Sequence, residues 1–176
     1  VEILANRIAL RGAEIDASGP MGGGTILIGG DYLGSGPFPK ANTTLIQPGT
    51  LIKANALESG RGGRVIVWSE AYTLFDGAIE AKGGPVSGDG GFVETSSKEV
   101  LVATGTVNAS ASHGTGGEWL LDPNNITIDT SADTNVSSSG TDPVVWDTTD
   151  DNAIVTVASI LASLNSGTSV TLQTGI

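Results

Sequence analysis

The side chains able to do chemistry are mostly carboxylates. The chain carries 19 Asp and Glu against 8 Lys and Arg, one His and no Cys. Two carboxylates flanking a glycosidic bond can cleave it, one as acid and the other as base or nucleophile. Such an enzyme needs its acids gathered on one face. Here aspartates are spread along the chain, among them Asp31, Asp76, Asp89, Asp122, Asp129, Asp142, Asp147, Asp150 and Asp151. His113, in "SHGTGG", has no cysteine or G-x-S-x-G elbow to work with and reads as a turn residue. The oxygen-rich run "DTTDDN" at 147–152 has the ligand types for calcium. An exposed acidic loop is the favoured reading of it, and "GDGG" at Gly88 lacks the full calcium-binding nonapeptide. No cofactor and no metal is expected. Asn42, Asn108, Asn125 and Asn135 each open an Asn-x-Ser/Thr sequon, with Asn108 and Asn135 expected to be the most exposed. Tyr32, Phe92 and Trp146 are aromatic residues expected to face outward, where they could meet a sugar or protein.

Composition excludes several classes. A net charge of −11 opposes binding to nucleic acid, which needs clustered Lys and Arg. The absence of cysteine removes a disulfide scaffold and a thiolate zinc site. No apolar run approaches the roughly 18 residues that suggest a membrane helix. With 39% apolar residues, only 5% aromatic, and 26 Gly, the core must come from aliphatic residues on short strands punctuated by glycine. The chain begins and stops within strand-like sequence, so it is expected to be a piece of a longer polypeptide.

Those strands recur. A double glycine followed by an apolar run occurs four times, at Gly23-Gly24, Gly62-Gly63, Gly90-Gly91 and Gly116-Gly117, with spacings of 39, 28 and 26 residues. Aligned on the glycines, Ile26, Val65, Val93 and Trp119 share one column. Ile28, Val67, Thr95 and Leu121 share another, two residues on. Period-two alternation of this kind marks strands with one buried side. The columns between are mixed: Thr25, Arg64, Phe92 and Glu118, then Leu27, Ile66, Glu94 and Leu120. They are expected on a partly covered outward side.

A second segment repeats as well, always ending apolar-x-Ala: Ile15-Asp16-Ala17, Ile52-Lys53-Ala54, Ile79-Glu80-Ala81 and Val107-Asn108-Ala109. Its middle residues should face solvent as a charge-alternating row. Gly12, Gly49, Gly77 and Gly105 precede these endings, where a turn calls for positive φ. Irregular periods around a constant core, with insertions such as 29–40 looping out, predict the stacked coils of a parallel β-helix, a solenoid of about four or five turns. The paired glycines fall where the chain turns between faces. A β-sandwich has no need of apolar-x-Ala endings in register.

Residues 1–129 are thus expected to form the coils and 130–155 a polar loop insertion. Within 156–176, "TVASILASLNSG" has helical spacing at Val157, Ile160, Leu161 and Leu164. It predicts one short helix, about 157–165, packed on the side of the coils. Thr156 is its cap and Gly167 its stop. A return to strand follows.

"GGTILIGGDYLGSG", "GGRVIVWS", "GDGGFVETSSKEVLV", "EWLLDPNNITI" and "SILASLNSGTSVTLQTG" together resemble the secreted exoproteins of bacterial two-partner secretion, of the filamentous-haemagglutinin-like and HMW-type adhesin family. The resemblance covers nearly the whole chain and matches the segment after the secretion domain. It implies an all-β, right-handed parallel β-helix with one long insertion and one flanking helix. It further implies export through an outer-membrane β-barrel transporter, display at or release from a Gram-negative cell surface, and glycosylation on sequons such as those above. The expected function is a structural and adhesive shaft, with surface glycans or proteins and end-to-end self-association as partners. A carbohydrate-active β-helix enzyme and the stalk of a toxin-delivery or nutrient-capture protein are the alternatives.

Overall fold

The computed structural model describes residues 1–124, 126–130, 136–139, 145–148 and 153–174. Strands come in triplets. The first is β1 (Glu2–Ile3), β2 (Arg7–Leu10) and β3 (Glu14–Asp16). The second is β4 (Thr25–Ile28), β5 (Thr43–Ile46) and β6 (Leu51–Lys53). The third is β7 (Arg64–Val67), β8 (Tyr72–Phe75) and β9 (Ala78–Glu80), and the fourth β10 (Phe92–Thr95), β11 (Val100–Ala103) and β12 (Thr106–Asn108). Each member pairs in parallel with its counterpart in the next triplet, so three parallel sheets grow side by side, one strand per repeat. The protein is mostly β, as expected.

The predicted columns meet in register. Ile26 lies opposite Val65, Val65 opposite Val93 and Val93 opposite Trp119, and all four are fully buried. Ile15, Ile52, Ile79 and Val107 are likewise in register in the third sheet, the last three buried and Ile15 partly so. These side chains join Ile46, Phe75 and Leu101 from the second sheet in one aliphatic interior. Thr95 is the polar member of its column, and the reason is local: the Trp119 indole N–H donates to Thr95 Oγ1 at 2.9 Å. Thr95→Val strands that buried donor, so a loss of about 1–3 kcal/mol is expected in denaturant unfolding.

The corners differ. Between the first and second sheets a hydroxyl seam serves the turning backbone. Thr44 Oγ1 donates to the Trp68 carbonyl (3.0 Å) and Thr73 Oγ1 to the Ser96 carbonyl (2.9 Å), while Ser69 Oγ lies 2.7 Å from Thr73 Oγ1. Between the third and first sheets stand the paired glycines. None of the eight has positive φ. They are needed because backbone packs on backbone: a Cβ on Gly23, Gly62 or Gly90 would overlap the carbonyl of Ala54, Ala81 or Ala109. Between the second and third sheets Gly12 and Gly49 have the expected left-handed φ, but Gly77 and Gly105 do not. There a Cβ would meet Ile46 and the Thr50 carbonyl, or the Gly77 carbonyl and the Phe75 ring, so close packing replaces turn geometry as the cause.

The fifth repeat departs from the pattern. β13 (Glu118–Leu121) joins the first sheet, and β14 (Ile126–Asp129) follows it in the chain. β15 (Val136–Ser139) pairs antiparallel with β16 (Val145–Thr148). β17 (Ala153–Thr156) then enters the second sheet between β11 and β14. Residues 153–155, assigned from sequence to the polar insertion, are therefore strand. Ile154 and Val155 are buried, and that burial holds them there. The helix α1 (Val157–Asn165) comes next, with Thr156 Oγ1 accepting from the Ser159 N–H and Gly167 in the left-handed region just beyond, as predicted. It packs beside β12, where a third-sheet strand would otherwise lie. The Ala109 N–H, left without a strand partner, donates to Thr168 Oγ1 at 2.7 Å. β18 (Ser169–Leu172) returns to the first sheet beside β13. The helix buries Ser159 and Ser163 and leaves Leu161 and Leu164 exposed, so its leucines do not form the packed face their spacing suggested.

Candidate functional site

The outer sides of the three sheets are not alike. The third carries the expected charged row. Asp16, Lys53, Glu80 and Asn108 are neighbours in register, and Lys53 binds both Glu14 and Asp16. Ion pairs this exposed add little. The second carries a buried apolar cluster of Leu45, Tyr72, Leu74, Val100 and Val102. The first holds the group of most chemical interest.

On that side Leu27, Ile66, Glu94 and Leu120 lie in one row, a carboxylate among aliphatic side chains. Sequence placed this row outward and partly covered. The cover is segment 29–40, which folds back over the sheet instead of looping free. Phe38 and Phe92 pack against Leu27, Ile66 and Trp68. Asp31 ion-pairs with Arg64 (3.6 Å), and Arg64 lies 5.3 Å from the Tyr32 ring centroid. Tyr32 and Phe92 stand edge to face at 5.7 Å, so these two outward aromatics serve the cover. Gly34 abuts the Trp68 indole, leaving no space for a Cβ.

Leu33 has φ +52, rare for a branched aliphatic residue. That conformation aims its N–H at Glu94, and it donates to both carboxylate oxygens at 3.1 and 3.2 Å. Glu94 has no exposed surface. Burial raises its carboxyl to about 7. The Leu33 N–H and Ser96 oppose that rise, while the neighbouring charge of Asp122 adds to it. The sign of the pH effect follows. A carboxyl raised in the folded state holds its proton there between about pH 4.5 and 7 while the unfolded chain has lost it, so stability falls as pH climbs through that window. The expected loss is on the order of 3 kcal/mol. The melting temperature of Glu94→Gln should fall less over that window than the wild type's. Glu80, held low by Lys82 and Asn55 against its burial, acts in a different range, its contribution being lost as pH falls below about 4.5.

Asp122 follows β13, and its N–H donates to Ser96 Oγ (3.2 Å). Its side chain is only 5% exposed, yet neither carboxylate oxygen has a hydrogen-bond partner. Burial raises its pKa. It faces a cavity of about 270 Å³ between the cover and the turn at 122–124, lined by Leu33, Gly34, Lys40, Trp68, Glu70, Lys98, Asp122 and Asn124. Lys40 and Lys98 each stand 3.7 Å from a Glu70 oxygen, and Lys40 lies 5.4 Å from the Trp68 ring centroid.

The other positions singled out in the sequence fall elsewhere. His113 is exposed in a turn, its carbonyl accepting from the Gly88 N–H (3.4 Å). Asn42 is exposed, whereas Asn108 is half-buried at the end of β12 with Oδ1 bonded to the Ser110 N–H. Asn125, Asn135 and the Trp146 side chain lie outside the described residues, as does most of the 147–152 run. Glu94 and Asp122 as a pair were not foreseen. The only trace in the sequence is a carboxylate in an otherwise aliphatic outward column. A scan of the chain against protein-family models matches none of them, and a search of curated proteins finds no match.

Proposed function

We propose that the chain winds as a right-handed parallel β-helix and forms part of the shaft of a large secreted bacterial surface protein, a rigid element serving adhesion, aggregation or fibre formation. The observation that carries this reading is the unbroken parallel register of all three sheets through four successive repeats. Stacked ladders around an aliphatic interior give a stiff rod whose length scales with repeat number. Right-handed crossover is the rule where parallel strands share a sheet. The two-partner secretion resemblance supports an outer-membrane β-barrel transporter as export partner, a Gram-negative cell surface as the location, and surface glycans or proteins as targets. Leu161, Leu164 and Leu172 are 50%, 49% and 39% exposed, the kind of apolar surface that end-to-end stacking of copies would cover.

Immunogold labelling of intact bacteria producing the protein tests this. Label at the cell surface, removed by external protease, is expected. Label found only inside permeabilised cells would sink the reading.

The neighbouring acids Glu94 and Asp122 favour one alternative, a carbohydrate-active enzyme. Hydrolysis needs both carboxyls at the substrate. Of these two only Asp122 faces the cavity, because Glu94 is sealed beneath Leu33, and the other carboxylate in the lining, Glu70, is held between Lys40 and Lys98. Incubation with polysaccharides should therefore release no new reducing ends, and their release would favour the enzyme.

A further inference from the structure

We propose that the cavity beside Trp68 is a binding site for a single sugar ring, free or as the terminal unit of a glycan, with Asp122 accepting hydrogen bonds from its hydroxyls. Such a site would serve the protein whether or not the chain is part of a shaft.

The unpaired carboxylate comes first. Nearly all buried polar atoms find partners, and a buried acceptor group with two bare oxygens is costly. Asp122 is 95% buried and has none, although Ser96 Oγ is close enough to bond its own backbone N–H. An aliphatic residue would fill such a position at lower cost, as Leu120 does two residues before it. A carboxylate kept bare towards a cavity is arranged to meet donors that arrive from outside.

The walls say which donors. Lys40 and Lys98 bring two ammonium groups, Glu70 and Asp122 two carboxylates, and Asn124 stands beside them. An anion would face both carboxylates. A metal ion would face both ammonium groups, and among the described residues no cluster of three or more acids or histidines exists to hold one. A neutral molecule that both donates and accepts, with hydroxyls around a ring, satisfies both kinds of wall. Trp68 supplies apolar surface for the ring's C–H groups. About 270 Å³ admits one ring and not a chain of them. The site is built on rigid parts: Trp68, Glu70, Lys98 and Asp122 follow or precede sheet strands, and Leu33 ties the cover down through Glu94.

The test is saturation-transfer NMR and calorimetry of the intact chain with a panel of methyl glycosides, alongside a glycan array. At least one glycoside or glycan is expected to bind saturably. Asp122→Asn should weaken it at least tenfold while leaving the melting temperature unchanged or higher, since the variant removes a buried bare charge. Lys98→Ala, at an exposed position, should weaken binding severalfold in an unaltered fold. Methyl glycosides binding as tightly as the arrayed glycans would identify free sugar as the source, whereas binding to the array alone would identify a glycan terminus. Absence of binding across the panel at millimolar concentration overturns the proposal, as does binding that Asp122→Asn leaves intact. A melting temperature raised by calcium in the wild type but not in Asp122→Asn, with no sugar bound, would replace the sugar with a cation.

Discussion

Val67→Asp should yield a chain with no cooperative unfolding transition and no strand signal in circular dichroism. Val67 is fully buried and stands in register between Ile28 and Thr95 in the first sheet, pointing into the common interior. An ionised carboxylate there has no cation within reach, because the interior is built from Ile, Val, Leu, Phe, Trp and Ala. Protonation relieves the charge but still leaves a buried acid without partners and a gap where a branched methyl packed. Penalties of this kind exceed about 4 kcal/mol, against a total stability of roughly 5–15 kcal/mol for an ordinary domain. The stacked arrangement aggravates the loss, since each repeat buries its inner face only against its neighbours. The measurement is thermal and urea unfolding followed by circular dichroism. Wild-type-like unfolding of the variant would mean that Val67 does not face inward, and the register would be wrong.

The second large effect needs only one methyl group. Gly63→Ala should cost on the order of 3 kcal/mol or more, at the upper end of what overpacking does. A Cβ at Gly63 would meet the Gly24 carbonyl, the Ala54 methyl and the backbone carbon of Gly23. None of these is the end of a flexible side chain, so relief requires two neighbouring repeats to move apart. Every ladder hydrogen bond near that corner resists this. Gly12→Ala is the control. Its φ is +55 and a Cβ there meets nothing, so the variant carries only the strain of a left-handed alanine, roughly 1 kcal/mol. Equilibrium unfolding of the pair separates the two causes. If Gly63→Ala matched Gly12→Ala, close packing at the glycine corner would not be what selects glycine.

How far the fold could be read in advance follows from which forces act locally. The inward columns were legible because a pleated strand alternates strictly, so Ile26, Val65, Val93 and Trp119 align on nothing more than period two and a shared glycine landmark. The helix was legible because Thr156, the following apolar spacing and Gly167 are all local marks. The cover over the first sheet was not. Leu27 and Ile66 are apolar at outward positions, which says that something covers them but not that segment 29–40 does so. That depends on Arg64, Glu94 and Trp68, one and two repeats further along the chain. The same distance hid the site. Glu94 and Asp122 belong to successive repeats and become neighbours only when β10 and β13 pair. The entry of β17 between β11 and β14 was hidden for a related reason, because Ile126, Thr127 and Ile128 read as a strand equal to it and only the sheet order decides which lies nearer. Gly77 and Gly105 illustrate the converse. Their residue type was explained by local turn geometry, while the true constraint came from Ile46, Thr50 and Phe75 in space.

At the corner where the paired glycines stand, one hydrogen bond recurs. The N–H of Gly24, Gly63, Gly91 and Gly117 donates to the carbonyl of Ala17, Ala54, Ala81 and Ala109, at 2.8, 2.6, 2.7 and 2.7 Å. The segments it closes differ in length and sequence, yet their ends are held at the same separation. The entropy of closing a loop rises only with the logarithm of its length. The corner therefore separates the heritable variation of the chain into two regimes. Codons gained or lost between the alanine and the glycine change the outer surface, and the strands on either side keep their register. A single codon gained or lost within a strand turns the inward side chains beyond it to the outside. A lineage built on this architecture can diversify its outer surface by insertion and deletion at a fixed set of addresses, and the same addresses are where a foreign peptide could be spliced in without rebuilding the sheets.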